Sequence, residues 1–149
     1  MRMALLFFAV LGLAGSLWAA DPIIGTWKLN VEESTFNEYR QEPSEEIIEV
    51  YREIENDQIE LTRSTGNSVF TWPIQGGIVN VKVMDGDSSR SYVQTRIAPD
   101  EWLVTVLEDG KQIRTRHKKI SKDGKTMRQT YRGLNEGYSF EMLDVYEKQ

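Results

Sequence analysis

The chain contains no cysteine and a single histidine, His117. Without cysteine it forms no disulfide, no Cys-ligated zinc site and no thiol nucleophile. The sequence also lacks a calcium-loop spacing, a Gly-x-Ser-x-Gly elbow and a glycine-rich phosphate loop. We therefore expect no metal, no cofactor and a non-catalytic function, although one sequence does not exclude a triad whose members meet only in space.

Excess positive charge is lacking too, since the net charge is −5. This balance favours solubility and disfavours binding to nucleic acids or anionic membranes. One segment, residues 111–122, is strongly basic, but no aromatic stacking platform lies beside it in the sequence. We expect no nucleic-acid partner.

Residues 1–20 have the three parts of a secretory signal. Arg2 supplies a positive charge, residues 4–13 are almost wholly apolar, and Ala19 and Ala20 form a small-residue end. We expect cleavage after Ala19 or Ala20, one domain over residues 21–149, and an exported protein, periplasmic or secreted. The missing cysteine argues against a lipoprotein, and no stable membrane insertion is expected after cleavage; an uncleaved N-terminal anchor is the alternative.

The remaining sequence predicts an all-β domain, because turn signals recur every 8–12 residues between β-rich segments. Nine or ten antiparallel strands in neighbouring order predict an up-and-down β-barrel, with a two-sheet sandwich as the alternative. Asn56-Asp57, Asp109-Gly110 and residues 122–125 are typical of hairpin turns. Residues 31–44 predict a loop or a short helix within 32–39. The predicted strands cover residues 24–30, 46–55, 58–64, 68–72, 78–84, 91–97, 101–108, 111–121, 126–132 and 138–147.

Motifs at both ends resemble the calycin group, which comprises the lipocalins and the intracellular fatty-acid-binding proteins. Gly25-Thr26-Trp27-Lys28-Leu29 is similar to their opening Gly-x-Trp strand, and Ser34-Thr35-Phe36 to a following Ser-x-x-Phe, one residue shorter. Val145-Tyr146-Glu147-Lys148 is similar to their last strand. With Asp21-Pro22 and Ser121-Lys122-Asp123-Gly124-Lys125, the chain most resembles exported bacterial lipocalin-like proteins of unknown function. The resemblance implies a barrel whose Trp27 closes the base against a basic residue, for which Arg128, Arg132 and Lys148 are candidates.

Two departures from the fatty-acid-binding proteins affect the expected ligand. The cation of their final Arg-x-Tyr is replaced by Asp144, so only the role of Tyr146 carries over, and a carboxylate there would repel an anionic head group. Residues 31–45 are also too few for the two-helix lid of that family. Simple fatty-acid carriage is therefore not what the sequence implies.

Alternation along the strands gives the candidate site residues. Arg114, Arg116 and Lys118 share one face: an internal face would bind an anion through Arg114 or Arg116, whereas an external one would pair with residues such as Glu101 and Glu108. In residues 46–55, one face carries Ile48, Val50 and Ile54 and the other carries Glu49, Tyr51 and Glu53. Aromatic residues including Phe70 and Tyr92 would line a cavity or fill the core. The ligand-binding candidates are Trp27, Trp72, Trp102, Arg114, Arg116, Phe140, Met142 and Tyr146.

These observations lead to three hypotheses about the function. The first is non-catalytic binding of a small apolar or amphipathic ligand. The second is a solid barrel that serves as a structural or interaction module in the cell envelope, without a cavity of about 300 Å³ or more. The third is an enzyme acting on a lipid-derived substrate, which requires His117, Tyr146 or Asp144 to point into a cavity. The sequence leaves the ligand and the oligomeric state open.

Overall fold

A computed structural model describes residues 20–37, 40–66, 68–83, 90–135 and 138–149. The predicted leader lies almost wholly outside these residues and stays a prediction. In the described part of the chain, no helix is long and apolar enough to cross a membrane.

The fold is a closed antiparallel barrel of ten strands, which confirms the predicted up-and-down architecture and excludes the sandwich. Each strand pairs with its neighbours in sequence, and β1 pairs with β10 to close the wall. The strands are β1 (Gly25–Asn30), β2 (Ile48–Ile54), β3 (Gln58–Arg63), β4 (Ser68–Pro73), β5 (Gly76–Val83), β6 (Arg90–Ala98), β7 (Glu101–Glu108), β8 (Lys111–Ile120), β9 (Thr126–Asn135) and β10 (Tyr138–Lys148).

Local turn chemistry sets the hairpins. Asn56 and Asp57 have φ angles of 63° and 54°, and Asp109 and Gly110 have 48° and 75°. Two successive positive φ angles match the right-handed twist of the flanking strands, as in type I′ turns. Both predicted turns are confirmed.

One strand end needs correction, and of the two alternatives predicted for residues 31–44 the described residues have the loop. Strand β9 continues to Asn135, beyond the predicted end at residue 132, and residues 136 and 137 lie outside the described part. In the β1–β2 connection, the described residues form a turn at 31–34 and an isolated bridge between Asn37 and Arg40, with no helix among them. Residues 38 and 39 lie outside the description.

One end of the barrel, here called the apolar end, is closed around Trp27. The indole is fully buried, and its Nε1–H donates to the Ile23 carbonyl at 2.8 Å. Lys148 Nζ lies 5.1 Å from the centre of the indole ring, so Lys148 fills the predicted basic position, not Arg128 or Arg132. Gly25 has a φ of 140°, and a Cβ there would lie 2.7 Å from Lys148 Cε. Because Gly25 has no side chain, the Lys148 side chain can pass over the backbone of Gly25 and reach the indole of Trp27.

Apolar side chains fill the barrel near Trp27. They come from strands on every side of the wall and pack into one buried cluster. The fully buried members at this end include Ile59, Trp72, Trp102, Ile120 and Met127. The polar residues of the interior lie further along the strands, towards the opposite, polar end, where β3 ends at Arg63 and β4 begins at Ser68.

Candidate functional site

A cavity of about 170 Å³ lies inside the barrel and reaches the β3–β4 connection at Thr65 and Gly66. It is smaller than the ~300 Å³ of drug-sized ligand pockets, but a cavity of ~150 Å³ accommodates benzene. Its wall has an apolar part and a polar part. The apolar part is formed by Leu61, Phe70, Trp72, Val79 and Val104, and the polar part includes Glu49, Arg63, Gln94, Arg116 and Lys118.

Glu49 is the centre of the polar part. Its carboxylate is fully buried and accepts hydrogen bonds from Arg63 at 2.5 and 3.1 Å, Tyr51 at 2.6 Å, Gln129 at 2.8 Å and Tyr146 at 3.2 Å. Five donors satisfy both oxygens, so Glu49 has little capacity left to accept a further hydrogen bond.

The pKa of Glu49 reflects this environment. Burial alone would raise the pKa of its carboxyl, but the charges of Arg63, Lys118 and Arg116 and the hydrogen bond from Tyr51 outweigh burial and hold it well below its usual range. Glu49 is therefore an anion throughout the physiological range.

Lys118 is buried beside this carboxylate without forming an ion pair with it. Only 1% of the residue is exposed. Its Nζ donates to the Tyr51 hydroxyl at 2.9 Å and lies 4.9 Å and 5.7 Å from the ring centres of Tyr51 and Trp72. Burial first, then the charges of Arg116 and Arg63, lower the pKa of Lys118 to about 7 against the opposing influence of Glu49.

Arg116 carries a charge that no carboxylate of the described residues pairs within ion-pair distance. Its guanidinium lies over the Tyr131 ring, 4.7 Å from the centre, and its buried Nε has no hydrogen-bond acceptor there. Arginine does not lose its proton in proteins, and Arg116 is half-buried, so its charge is partly removed from water and its buried Nε–H has no partner. The cavity wall therefore holds more positive charge than Glu49 balances.

The other unsatisfied polar atoms of the cavity wall are donors as well. Trp72 Nε1 and Gln94 Nε2 are buried without an acceptor among the described residues. With Arg116 Nε they leave three N–H groups for an acceptor, and each buried unmade bond costs about 1–3 kcal/mol. The chemical complement of this wall is a small molecule with an anionic or acceptor-rich group and an apolar body.

The basic face of β8 points into the barrel, a direction that the sequence alone does not determine. Lys118 and Arg116 line the cavity, whereas His117 lies on the outer face, where its Nε2 is 2.7 Å from Glu101. Lys119 is also outside, 3.6 Å from Glu101. His117, one candidate for an internal catalytic group, therefore does not face the cavity.

The eight predicted site residues divide into three groups. Trp72 and Arg116 line the cavity. Tyr146 lies in the hydrogen-bond network around Glu49, and Arg114 lies over Phe140, 5.5 Å from the ring centre, without lining the cavity. Trp27, Trp102 and Met142 are buried elsewhere in the core. Whether any of the eight binds a ligand stays a prediction.

Three important residues of the cavity wall were absent from the predicted site. Strand alternation places Lys118 on the same face as Arg116, so an inward direction of that face implies Lys118 as well. Glu49 is not predictable in this way, because its strand carries isoleucine and valine on the opposite face, which points outward and is only half-buried. Arg63 gave no sequence signal, since it becomes a site residue only by pairing across the strands with Glu49.

Asp144 is fully buried and pairs with Arg40 of the β1–β2 connection. The Arg40 guanidinium also lies 5.6 Å from the Phe36 ring centre and 5.8 Å from that of Tyr131. The carboxylate is therefore neutralised by the chain itself. Neither Asp144 nor Arg40 lines the cavity.

Comparisons with protein-family models, with curated proteins and with solved structures find no match to this chain. The closed ten-stranded barrel is compatible with a calycin-like barrel. No group of three or more metal-ligating side chains suited to an ion occurs among the described residues.

Proposed function

We propose that this protein binds a small amphipathic molecule inside the barrel, with the anionic group of the ligand beside Arg116 and its apolar body against Phe70 and Trp72. The observation that carries the proposal is the guanidinium of half-buried Arg116, a residue that lines the cavity: its Nε is buried without an acceptor, and it has no carboxylate partner among the described residues. An anion there would offset the cost of burying this charge and accept its free N–H.

Size limits the class of ligand. A volume of about 170 Å³ suits a molecule near the size of benzene with one small polar group. A long fatty acid exceeds this volume. Small aromatic or short-chain carboxylates are therefore the favoured class.

Related proposals concern ancestry and location. The fully buried Trp27 with Lys148 over its ring supports a lipocalin-like relationship. The leader motif supports export, so we propose that the barrel binds its ligand in the periplasm or outside the cell.

Calorimetric titration of the purified protein with benzoate and with its neutral counterpart benzyl alcohol tests the function. We expect benzoate to bind at least tenfold more tightly, and Arg116→Gln to remove that preference, since it removes the charge beside the ligand. Arg128→Gln is the matched control, because Arg128 is exposed on β9. Equal affinity for both probes, or no binding of either, would contradict the proposal.

A second candidate function is a filled barrel that acts as a structural or interaction module. The observation that favours it is the cavity volume, which lies below the ~300 Å³ of ordinary ligand pockets. It predicts no heat of binding for either probe and no dependence of stability on benzoate.

A further inference from the structure

Lys118 has an unusual position for a lysine, because its amine is buried and yet borders a cavity. Its Nζ has a hydrogen bond to the Tyr51 hydroxyl, and no carboxylate of the described residues lies within ion-pair distance. The Tyr51 hydroxyl donates its own proton to Glu49, so it accepts from Nζ and fixes the position of the amine.

The charges around Lys118 favour the neutral amine. Arg116 lies two residues earlier on the same face of β8, and Arg63 reaches the network from β3. Both cations disfavour a third positive charge and, together with burial, outweigh the attraction of Glu49 for it. A neutral amine can donate one N–H to Tyr51 and keep its lone pair available to a molecule in the cavity.

We infer that Lys118 is a nucleophile that forms an imine with small carboxylate-bearing aldehydes in the cavity. The inference rests on the proposed function, since the carboxylate would lie beside Arg116, the cation two residues away on the same face. The cavity wall then supplies both an anion-binding group and a reactive amine to one ligand.

The reaction is balanced without a further reactant. The Nζ lone pair attacks the carbonyl carbon and forms a C–N bond while the C=O π bond breaks, and the carbonyl oxygen takes up a proton that the nitrogen releases as the carbinolamine forms. The C–O bond then breaks, water leaves with a proton from nitrogen, and a C=N bond remains. The protein thereby holds the aldehyde reversibly.

Reductive trapping tests the inference on the full protein. The protein is incubated with 4-carboxybenzaldehyde and sodium cyanoborohydride, digested, and mapped by tandem mass spectrometry. We expect the reduced adduct on Lys118 to form at least tenfold faster than on Lys119, its exposed neighbour on the same strand. Labelling of Lys119 at an equal or higher rate would overturn the inference, and this comparison needs no variant.

Two further arms separate this inference from the proposed function. Benzoate should slow the labelling of Lys118, and benzaldehyde, which lacks the carboxylate, should label it more slowly. Labelling of Lys118 without protection by benzoate leaves the nucleophile standing and contradicts anion binding. Binding of benzoate with no labelling of Lys118 supports anion binding and contradicts the nucleophile. Lys118→Arg should abolish the fast adduct.

The pH profile provides an independent readout. The groups that face the amine are Arg116 on its own strand, Glu49 and Tyr51 from β2, and Arg63 from β3. Because the pKa of Lys118 is about 7, its amine gains no further reactivity from deprotonation above that pH. Exposed lysines titrate near pH ~10.4, so the ratio of the labelling rate of Lys118 to that of the exposed lysines should fall between pH ~7 and ~9. Parallel profiles would overturn the inference.

Discussion

At the scale of single residues, the interior of this barrel contains charged and polar side chains as well as apolar ones. Glu49, Lys118, Gln129 and Asp144 are all essentially buried. Buried charges persist only where partners and hydrogen bonds compensate them. Glu49 meets that condition fully, but Lys118 meets it only in part. We therefore expect the ionisation of Lys118 to affect the free energy of unfolding.

Lys118→Met should change how stability depends on pH. The pKa of Lys118 falls from 10.5 to about 7 on folding, so between these values the unfolded chain binds more protons and the free energy of unfolding rises with pH. The slope is at most about 1.4 kcal/mol per pH unit for one group. We expect urea denaturation at pH ~7 and ~9.5 to show this rise in the wild type and not in the variant.

Lys119→Met is the control for that comparison, because Lys119 is exposed on the same strand and should keep the wild-type slope. Stability curves for wild type and Lys118→Met that stay parallel over this range would contradict the expected linkage.

Sequence reasoning recovers some of these residues and misses others for a physical reason. The position of Trp27 is predictable from the resemblance of residues 25–29 to the Gly-x-Trp opening strand, which implies an indole that closes the base of the barrel. The inward direction of Glu49 is not predictable, because alternation along one strand gives two faces, and the more hydrophobic face of β2 is the one that points outward. Its inward direction depends on Arg63, Gln129 and Tyr146, which come from three other strands.

At the scale of strands and connections, most of the fold could be predicted from local chemistry. Strand β7 has the predicted bounds, and the hairpin turns at Asn56-Asp57 and Asp109-Gly110 carry the backbone angles their sequences imply. The β1–β2 connection could not be predicted in the same way. Its course is fixed by distant partners: Thr35 exchanges hydrogen bonds with the backbone of Leu143, and Ser34 accepts one from the Val145 amide.

The same connection supplies Arg40 to the buried Asp144, and this contact can be tested. Arg40→Gln should lower the free energy of unfolding by about 3–5 kcal/mol, because it leaves a buried carboxylate without its cation. Adding Asp144→Asn should restore part of the loss, since the unpaired charge is then removed. Urea denaturation of the two single variants and the double variant measures the coupling.

Arg52→Gln is the control for this cycle, because Arg52 is exposed on β2. Additive effects of the Arg40 and Asp144 substitutions would show that the ion pair does not hold the connection.

At the scale of the whole molecule, the barrel closes around a plug of large side chains at the apolar end. Trp27→Ala should destabilise the protein by about 3–5 kcal/mol, the usual cost of deleting a large aromatic side chain from a core. Thermal and urea unfolding measure the loss. Ile78→Ala is a control, since Ile78 is 72% exposed; a loss for Trp27→Ala no larger than for this control would contradict the role of the plug.

The architecture as a whole was predictable because each strand pairs with its neighbours in the sequence, so the order of turns nearly determines the topology. The cavity was not. The volume of the cavity depends on how the side chains of many strands pack in the interior, and that packing exists only in the assembled barrel.

The pairing of β1 with β10 has a consequence for how the chain folds. Nine of the ten strand pairings join consecutive strands, which lie close together in the sequence, whereas this one brings Trp27 opposite Lys148. Loop-closure entropy makes such a distant encounter the slow one. We therefore expect the closure of this seam to limit the rate of folding, and a late change in tryptophan fluorescence, as Trp27 becomes enclosed, would mark the step at which the sheet closes into a barrel.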